Sequence, residues 1–284
     1  MRVINRVKRV YKAIKAASVT LKYGGIGEIT IAQLRDENRL SGKHVVVTGG
    51  GSGIGFSIAK KSVECGADVI ITGRTERKLK EAVEKIGNKN VRYIVWDISE
   101  VKDTAKKIKE CVEMFGCSID IFINNAGVQP KKFFPSVDEK EWDEVYSTNS
   151  KGTFFICEEL CKMWMVEQHQ IYKKIINIDS QGGFVGATYP YRMSKWDIRG
   201  LTEGLGLRMA PHGIIVNGIA PGVVKTNMQS FSVKQGNNAY CDQNPLSRVA
   251  LPEEIAELTV YMMSDVCNFI VGQTILIDGG FSLK

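Results

Sequence analysis

HVVVTGGGSGIG, residues 44–55, sets a run of β-branched residues directly before a glycine-rich turn and an apolar stretch that can open a helix. His44–Thr48 reads as a short buried strand. Glycines at 49, 53 and 55 let the backbone turn tightly and approach a pyrophosphate, whose charge a helix N-terminus stabilises. The spacing is Gly-x-x-x-Gly-x-Gly, where the commoner dinucleotide fingerprint is Gly-x-Gly-x-x-Gly. A cofactor loop at Thr48, Gly49, Gly51, Ser52, Gly53, Ile54 and Gly55 and a plain structural turn both fit this stretch, so its surroundings decide.

Those surroundings alternate. Further strand candidates are DVIIT (68–72), VRYIVW (91–96), IDIFIN (119–124), KIINI (174–178), IIVNGI (214–219) and QTILID (273–278), with helical patterns beginning near Ile54, Glu76, Val101, Asp138, Tyr189 and Pro252. Strand and helix in repeated alternation predict an α/β fold: a doubly wound, mostly parallel sheet of about seven strands covered on both faces, the Rossmann arrangement. No linker or internal repeat divides residues 41–284, which read as one domain after an extension of residues 1–40.

Composition narrows the classes. The chain has 284 residues, 44% hydrophobic and 24% charged, which is ordinary for a soluble globular protein. Its apolar runs are strand-sized, well short of the ~20 residues that cross a bilayer. Seven cysteines without paired spacing make no disulfide framework, and Cys157 and Cys161 have no nearby histidine to complete a metal site, so a reducing cytoplasm fits and no metal is expected. Of 38 basic residues, seven lie in residues 1–22 beside no acid, which leaves 31 to face 31 acidic residues elsewhere. The neutral body argues against nucleic-acid binding. Within the basic segment Val3, Val7, Val10, Ile14, Ala17 and Leu21 recur at helical steps, describing an amphipathic helix that packs on the body or a sister subunit, binds a partner, or touches a membrane surface. It lacks the apolar core and cleavage site of a secretory signal, while its basic, acid-free composition is also that of an organelle transit peptide.

Two local patterns carry chemistry. The second strand ends in ITGRTERK (71–78), with Gly73 where an acid would bond a ribose 2′-hydroxyl and Arg74 immediately after it, which predicts NADP(H) over NAD(H). In YPYRMSKWD (189–197), Tyr191 and Lys195 are four residues apart and so share a helix face. A lysine ammonium beside a phenol lowers its pKa toward neutrality and suits it to proton transfer. Tyr189 has Met193 at the same offset and reads as a pocket or packing residue.

With the glycine loop and this pair together, residues 41–284 resemble the single-domain branch of the short-chain dehydrogenase/reductase family. The motifs stand in the family's order. Asp97, followed by Ile98, matches the acid that positions the adenine, and Asn124, Asn125, Ala126 and Gly127 match the NNAG turn beside the cofactor. Asn149, Ser180, Tyr191 and Lys195 match the catalytic tetrad, and Pro221, Gly222, Val224 and Thr226 fall in the segment that contacts the nicotinamide end. The resemblance implies hydride transfer between a nicotinamide cofactor and a ketone or alcohol. Tyr191 would be the acid/base, Lys195 would tune it and bond the ribose, Ser180 would hold the substrate oxygen, and Asn149 would hold a water in a proton relay. It also implies a homo-oligomer built on the helix near Ser150, with Phe154, Phe155, Leu160, Met163 and Trp164 on a broad apolar face, and on the last strand.

Two departures stand out. Ser180 precedes Tyr191 by eleven residues, fewer than is usual in the family, so the connecting loop is trimmed. The N-terminal extension has no counterpart in the pattern. Residues 227–244, NMQSFSVKQGNNAYCDQN, fall where the family places a mobile substrate lid; their mixture fits a moderately polar substrate, with sugars and polyols, 3-oxoacyl thioesters and hydroxysteroids all open. A nucleotide-binding regulatory protein without turnover is the alternative, against which the complete tetrad argues. A sugar-nucleotide epimerase would need a larger C-terminal domain than the roughly sixty residues after Gly222.

Overall fold

The computed structural model describes residues 38–167, 172–226 and 240–283, together with Val10, Tyr11, Ile14, Lys15, Ala17 and Ser18. Seven strands form one sheet: β1 (His44–Thr48), β2 (Asp68–Gly73), β3 (Val91–Val95), β4 (Ile121–Asn124), β5 (Lys173–Ile178), β6 (Ile214–Pro221) and β7 (Thr274–Ile277). Their order is β3-β2-β1-β4-β5-β6-β7, and every neighbouring pair is parallel. The helices are α1 (Gly53–Glu64), α2 (Glu76–Ile86), α3 (Thr104–Phe115), α4 (Glu139–Tyr146), α5 (Thr153–Val166), α6 (Pro190–Met209) and α7 (Pro252–Met263).

The continuous apolar strands of the sequence are explained by burial on both faces. In β1, Val45 and Val47 join the core beneath α1, α2 and α7, whereas Val46 joins the opposite core with α3, α5 and α6. The same alternation places Ile121 and Ile123 on one side of β4 and Phe122 on the other. From β1 the chain winds outward to β3, then returns to lay β4 on the other side of β1. That reversal leaves a crevice beyond the carboxyl ends of β1 and β4, where open α/β sheets take their ligands.

Expectation and structure differ at the start of β4, before α3 and on the face of α5. The fourth strand starts at Ile121 rather than at residue 119, although the Asp120 backbone still donates to the His44 carbonyl and accepts the Lys174 N–H. A 3-10 turn at Val101–Asp103 precedes α3. Leu160 and Trp164, expected on an apolar outer face of α5, are fully buried in the core; Phe154 is the ring this helix exposes. Within the N-terminal extension Val10, Tyr11, Ile14, Lys15, Ala17 and Ser18 are helical and residues 38–40 form a turn; Val10 and Ile14 are more than half exposed, so the apolar face does not pack on the body at those two positions. The rest of that helix, and residues 227–239 of the expected lid, lie outside the described residues.

Candidate active site

The glycine loop follows β1 directly. Gly49 and Gly53 have φ of +67° and +56°, a region that L side chains rarely adopt. A Cβ on Gly55 would meet the Gly49 carbonyl at 2.5 Å, so that position must be bare for α1 to sit this close to the loop. Ser52 makes no side-chain cap on α1, which leaves the first N–H groups of the helix to a ligand.

Thr48 ties this loop to the turn after β4. Its hydroxyl donates to the Ile123 carbonyl at 3.2 Å and accepts the Asn125 and Ala126 N–H groups at 2.9 and 3.0 Å. The Asn125 side chain donates in return to the Thr48 carbonyl at 2.8 Å. Asn124, by contrast, faces the core, where it donates to Asn177, which in turn donates to Thr202.

Both features open on a cavity of about 530 Å³ at the crevice. Of the cofactor positions read from the sequence, all line it except Thr48, Gly51 and Gly55, which shape its floor from behind. Arg74 lines one end, where Arg77 instead pairs with Glu81 along α2. At the end of β3 the Asp97 carboxylate accepts the N–H and hydroxyl of Ser99, which fixes its rotamer beside the cavity.

Ser180, Tyr191 and Lys195 meet at the other end. The Ser180 oxygen accepts the Gly182 N–H at 3.1 Å, which orients the hydroxyl proton away from its own turn. Lys195 is buried and donates to the Ile178 carbonyl at 2.7 Å, with its nitrogen 5.7 Å from the centre of the Tyr191 ring. Burial pushes the Tyr191 phenol above its ordinary pKa, against hydrogen bonds from Ser180 and Gln129, and the Asp179 charge pushes the same way. Burial pushes Lys195 down, with Asp179 opposing. The spacing suggests a phenol lowered by its lysine; burial is the largest influence on Tyr191 here, and the direction is upward.

Asn149 stands behind the cavity rather than in its wall. It lies in a π-helical turn, Ser147–Gly152, between α4 and α5, the kind of irregularity that re-aims a residue at a site. Its amide donates to the Val128 carbonyl at 3.0 Å and to Ser194 at 3.1 Å, and its oxygen accepts the Val128 N–H at 2.9 Å.

Several wall residues escaped the sequence reading: Gln129, Asp179, Gln181 and Arg192. Asp179 is 3% exposed and neither carboxyl oxygen has a hydrogen-bond partner. Burial raises its pKa to about 7, with Lys195, the Ser180 backbone and Arg199 opposing. Its place beside Ser180, which the resemblance marks as a catalytic candidate, is the signal in the sequence that points to it. Arg192 lies between the two motif residues Tyr191 and Lys195, where its exposure to the cavity depends on the fold.

With this geometry in place, comparison with known proteins agrees on its class. The short chain dehydrogenase family model matches residues 43–237. The chain is 32% identical over 249 residues to the 3-oxoacyl-[acyl-carrier-protein] reductase FabG of Aquifex aeolicus (strain VF5), covering 86% of this chain and 99% of that protein. It is 31% identical over 253 residues to the 5-keto-D-gluconate 5-reductase of Escherichia coli (strain K12), covering 87% and 98%. Among solved structures, a Pseudomonas aeruginosa RhlG/NADP active-site complex superposes with a TM-score of 0.80 at 26% identity, covering 88% of this chain and all of that one. An actinorhodin polyketide ketoreductase with NADPH gives 0.78 at 27%, covering 87% and 99%. The chain belongs to the short-chain dehydrogenase/reductase family, whose members are oxidoreductases that bind NAD(P).

Proposed function

We propose that this protein is an NADP(H)-preferring dehydrogenase/reductase that interconverts a carbonyl and an alcohol, with Tyr191 as general acid/base. The observation that carries the reading is the convergence of Ser180, Tyr191 and Lys195 on one cavity whose far end is the glycine loop and Arg74. The bare N-terminus of α1 and the positive-φ glycines suit a pyrophosphate, and Arg74, with no carboxylate partner among the described residues, suits a 2′-phosphate. A bound nicotinamide supplies or accepts the hydride.

The chain's own groups handle the oxygen and its proton. The Ser180 hydroxyl donates to the substrate oxygen, and Tyr191, kept protonated by burial, passes its proton to that oxygen as it becomes an alkoxide. Lys195 replaces the proton lost by Tyr191. The Asn149 side chain is committed to Val128 and Ser194, so a relay water would be held by its main-chain carbonyl. Relatives named as 3-oxoacyl and keto-gluconate reductases set the first carbonyl compounds to try. All seven cysteines are free, which supports a cytoplasmic setting.

Steady-state kinetics with both cofactors tests the preference. NADPH is expected to show the lower KM, and Arg74→Ala to raise it roughly tenfold or more while leaving the NADH value nearly unchanged, the loss of one charged hydrogen bond. A lower KM for NADH in the unaltered protein would overturn it.

A further inference from the structure

Arg192 is the residue for which the reaction above has no use. It occupies the first turn of α6, where the helix dipole disfavours a cation and no acidic residue stands nearby in that turn. Arg248 is clamped by Glu254 at 2.7 Å and Arg92 by Asp68 at 2.8 Å, whereas no carboxylate pairs with Arg192 among the described residues. Its guanidinium donates to the Gly186 carbonyl at 3.2 Å and lies 5.5 Å from the centre of the Tyr189 ring, whose hydroxyl is also within its reach. Most of its five N–H donors are therefore left for something else.

Arg192 itself lines the cavity. Arg192 is half-buried in its wall, and Tyr189, which it flanks, packs edge-on against Phe133 at 5.0 Å to close that side. Gly182 fixes how near Arg192 stands to the reacting groups. A methyl group built there would lie 3.0 Å from Arg192 Cγ and 3.4 Å from the Ser180 hydroxyl oxygen, so the arginine stem and the serine flank one bare residue. The other cations in the cavity wall are accounted for: Arg74 is at the glycine-loop end, and Lys195 is bound to the Ile178 carbonyl.

We propose that Arg192 binds a carboxylate on the substrate, so that the protein acts on a hydroxy or keto acid whose remaining polar groups meet Gln129 and Gln181. This deepens the proposed function and rests on it. A planar guanidinium matches a carboxylate through two parallel N–H···O bonds. A single cation balances that single charge, whereas a phosphate dianion would remain half-neutralised at this end of the cavity.

The test measures binding before turnover. The protein saturated with reduced nicotinamide cofactor is titrated with a panel of acids, namely aldonates and short 2- and 3-hydroxy acids, each beside its neutral amide. At least one acid is expected to bind about 10- to 100-fold tighter than its amide, the range of a charge-assisted pair. Arg192→Gln should erase that ratio and Arg192→Lys keep part of it, both with unaltered cofactor affinity as the sign of an intact fold. Turnover of the matching keto acid by Arg192→Gln should show a raised KM with kcat little changed. Equal binding of acid and amide throughout the panel, or a ratio that survives Arg192→Gln, overturns the proposal. Should Tyr191→Phe retain its rate, the oxidoreductase mechanism falls, while the acid-to-amide ratio still judges Arg192 by itself.

Discussion

Asp179, one residue before Ser180, is a carboxyl group that the fold buries with neither oxygen in a well-formed hydrogen bond. Its pKa of about 7 in the folded chain stands above the unfolded value of 3.8, so the sign of its linkage to stability is fixed. Between those values the folded state keeps a proton that the unfolded state has released, and stability falls as pH rises through that window. Above it the deficit persists. Asp179→Asn removes the ionisation, so the cofactor-free variant should gain in melting temperature relative to the parent as pH goes from 4 to 8. A difference independent of pH, or one that shrinks on going alkaline, would show that Asp179 ionises freely. The sequence could mark Ser180 because a serine at that distance from YxxxK is a local pattern. It could not mark Asp179 or Arg192, whose roles come from a buried turn and a cavity wall that only tertiary packing creates.

At the scale of elements, the amino ends of the strands carry a cluster far from the crevice. Lys173, first residue of β5, is 4% exposed at its side chain and donates to Asp120 at 3.0 Å and to the Ile119 carbonyl at 2.9 Å. Asp120 also accepts from the His44 backbone and ring at 3.0 Å. Burial pushes the Asp120 pKa up, but the His44 N–H and Lys173 outweigh it and the net direction is down. Its contribution is thus present above the unfolded carboxylate's value and is lost as pH falls through the folded one. Asp120→Asn leaves the buried ammonium with Glu167, at 3.9 Å, as its carboxylate partner and should cost about 3–5 kcal/mol in urea unfolding, with the KM for cofactor unchanged. A loss below about 1 kcal/mol would mean that water reaches Lys173. The strands themselves were legible because most carry apolar runs on both faces, β3 with its Arg92 being the weakest. The start of β4 was not, since the Asp120 backbone still bonds to β1 and β5 while its carboxylate turns to Lys173 and His44.

For the whole molecule, alternation implies the parallel sheet, the structure supplies its strand order, and the crevice lies where that order reverses. The assembly does not follow so directly, because Leu160 and Trp164 were read as surface and serve the core. Outside on α5 stand Phe154, 47% exposed, and at its end Met165 and Val166, while β7 ends the sheet, its outer edge unpaired among the described residues. A homo-oligomer joined through these two features remains our proposal. Light scattering coupled to size exclusion should give a multiple of 31.5 kDa, and Phe154→Glu should shift it downward; a monomer at micromolar concentration would contradict it. The central claim is that Tyr191 moves the proton. The most direct measurement is the nicotinamide absorbance assay with Tyr191→Phe, run beside fluorescence titration of NADPH. The account predicts turnover reduced by at least about a thousandfold, the upper part of what a positioned acid/base contributes, with cofactor affinity within about twofold of the parent. A variant that keeps most of its rate would contradict it.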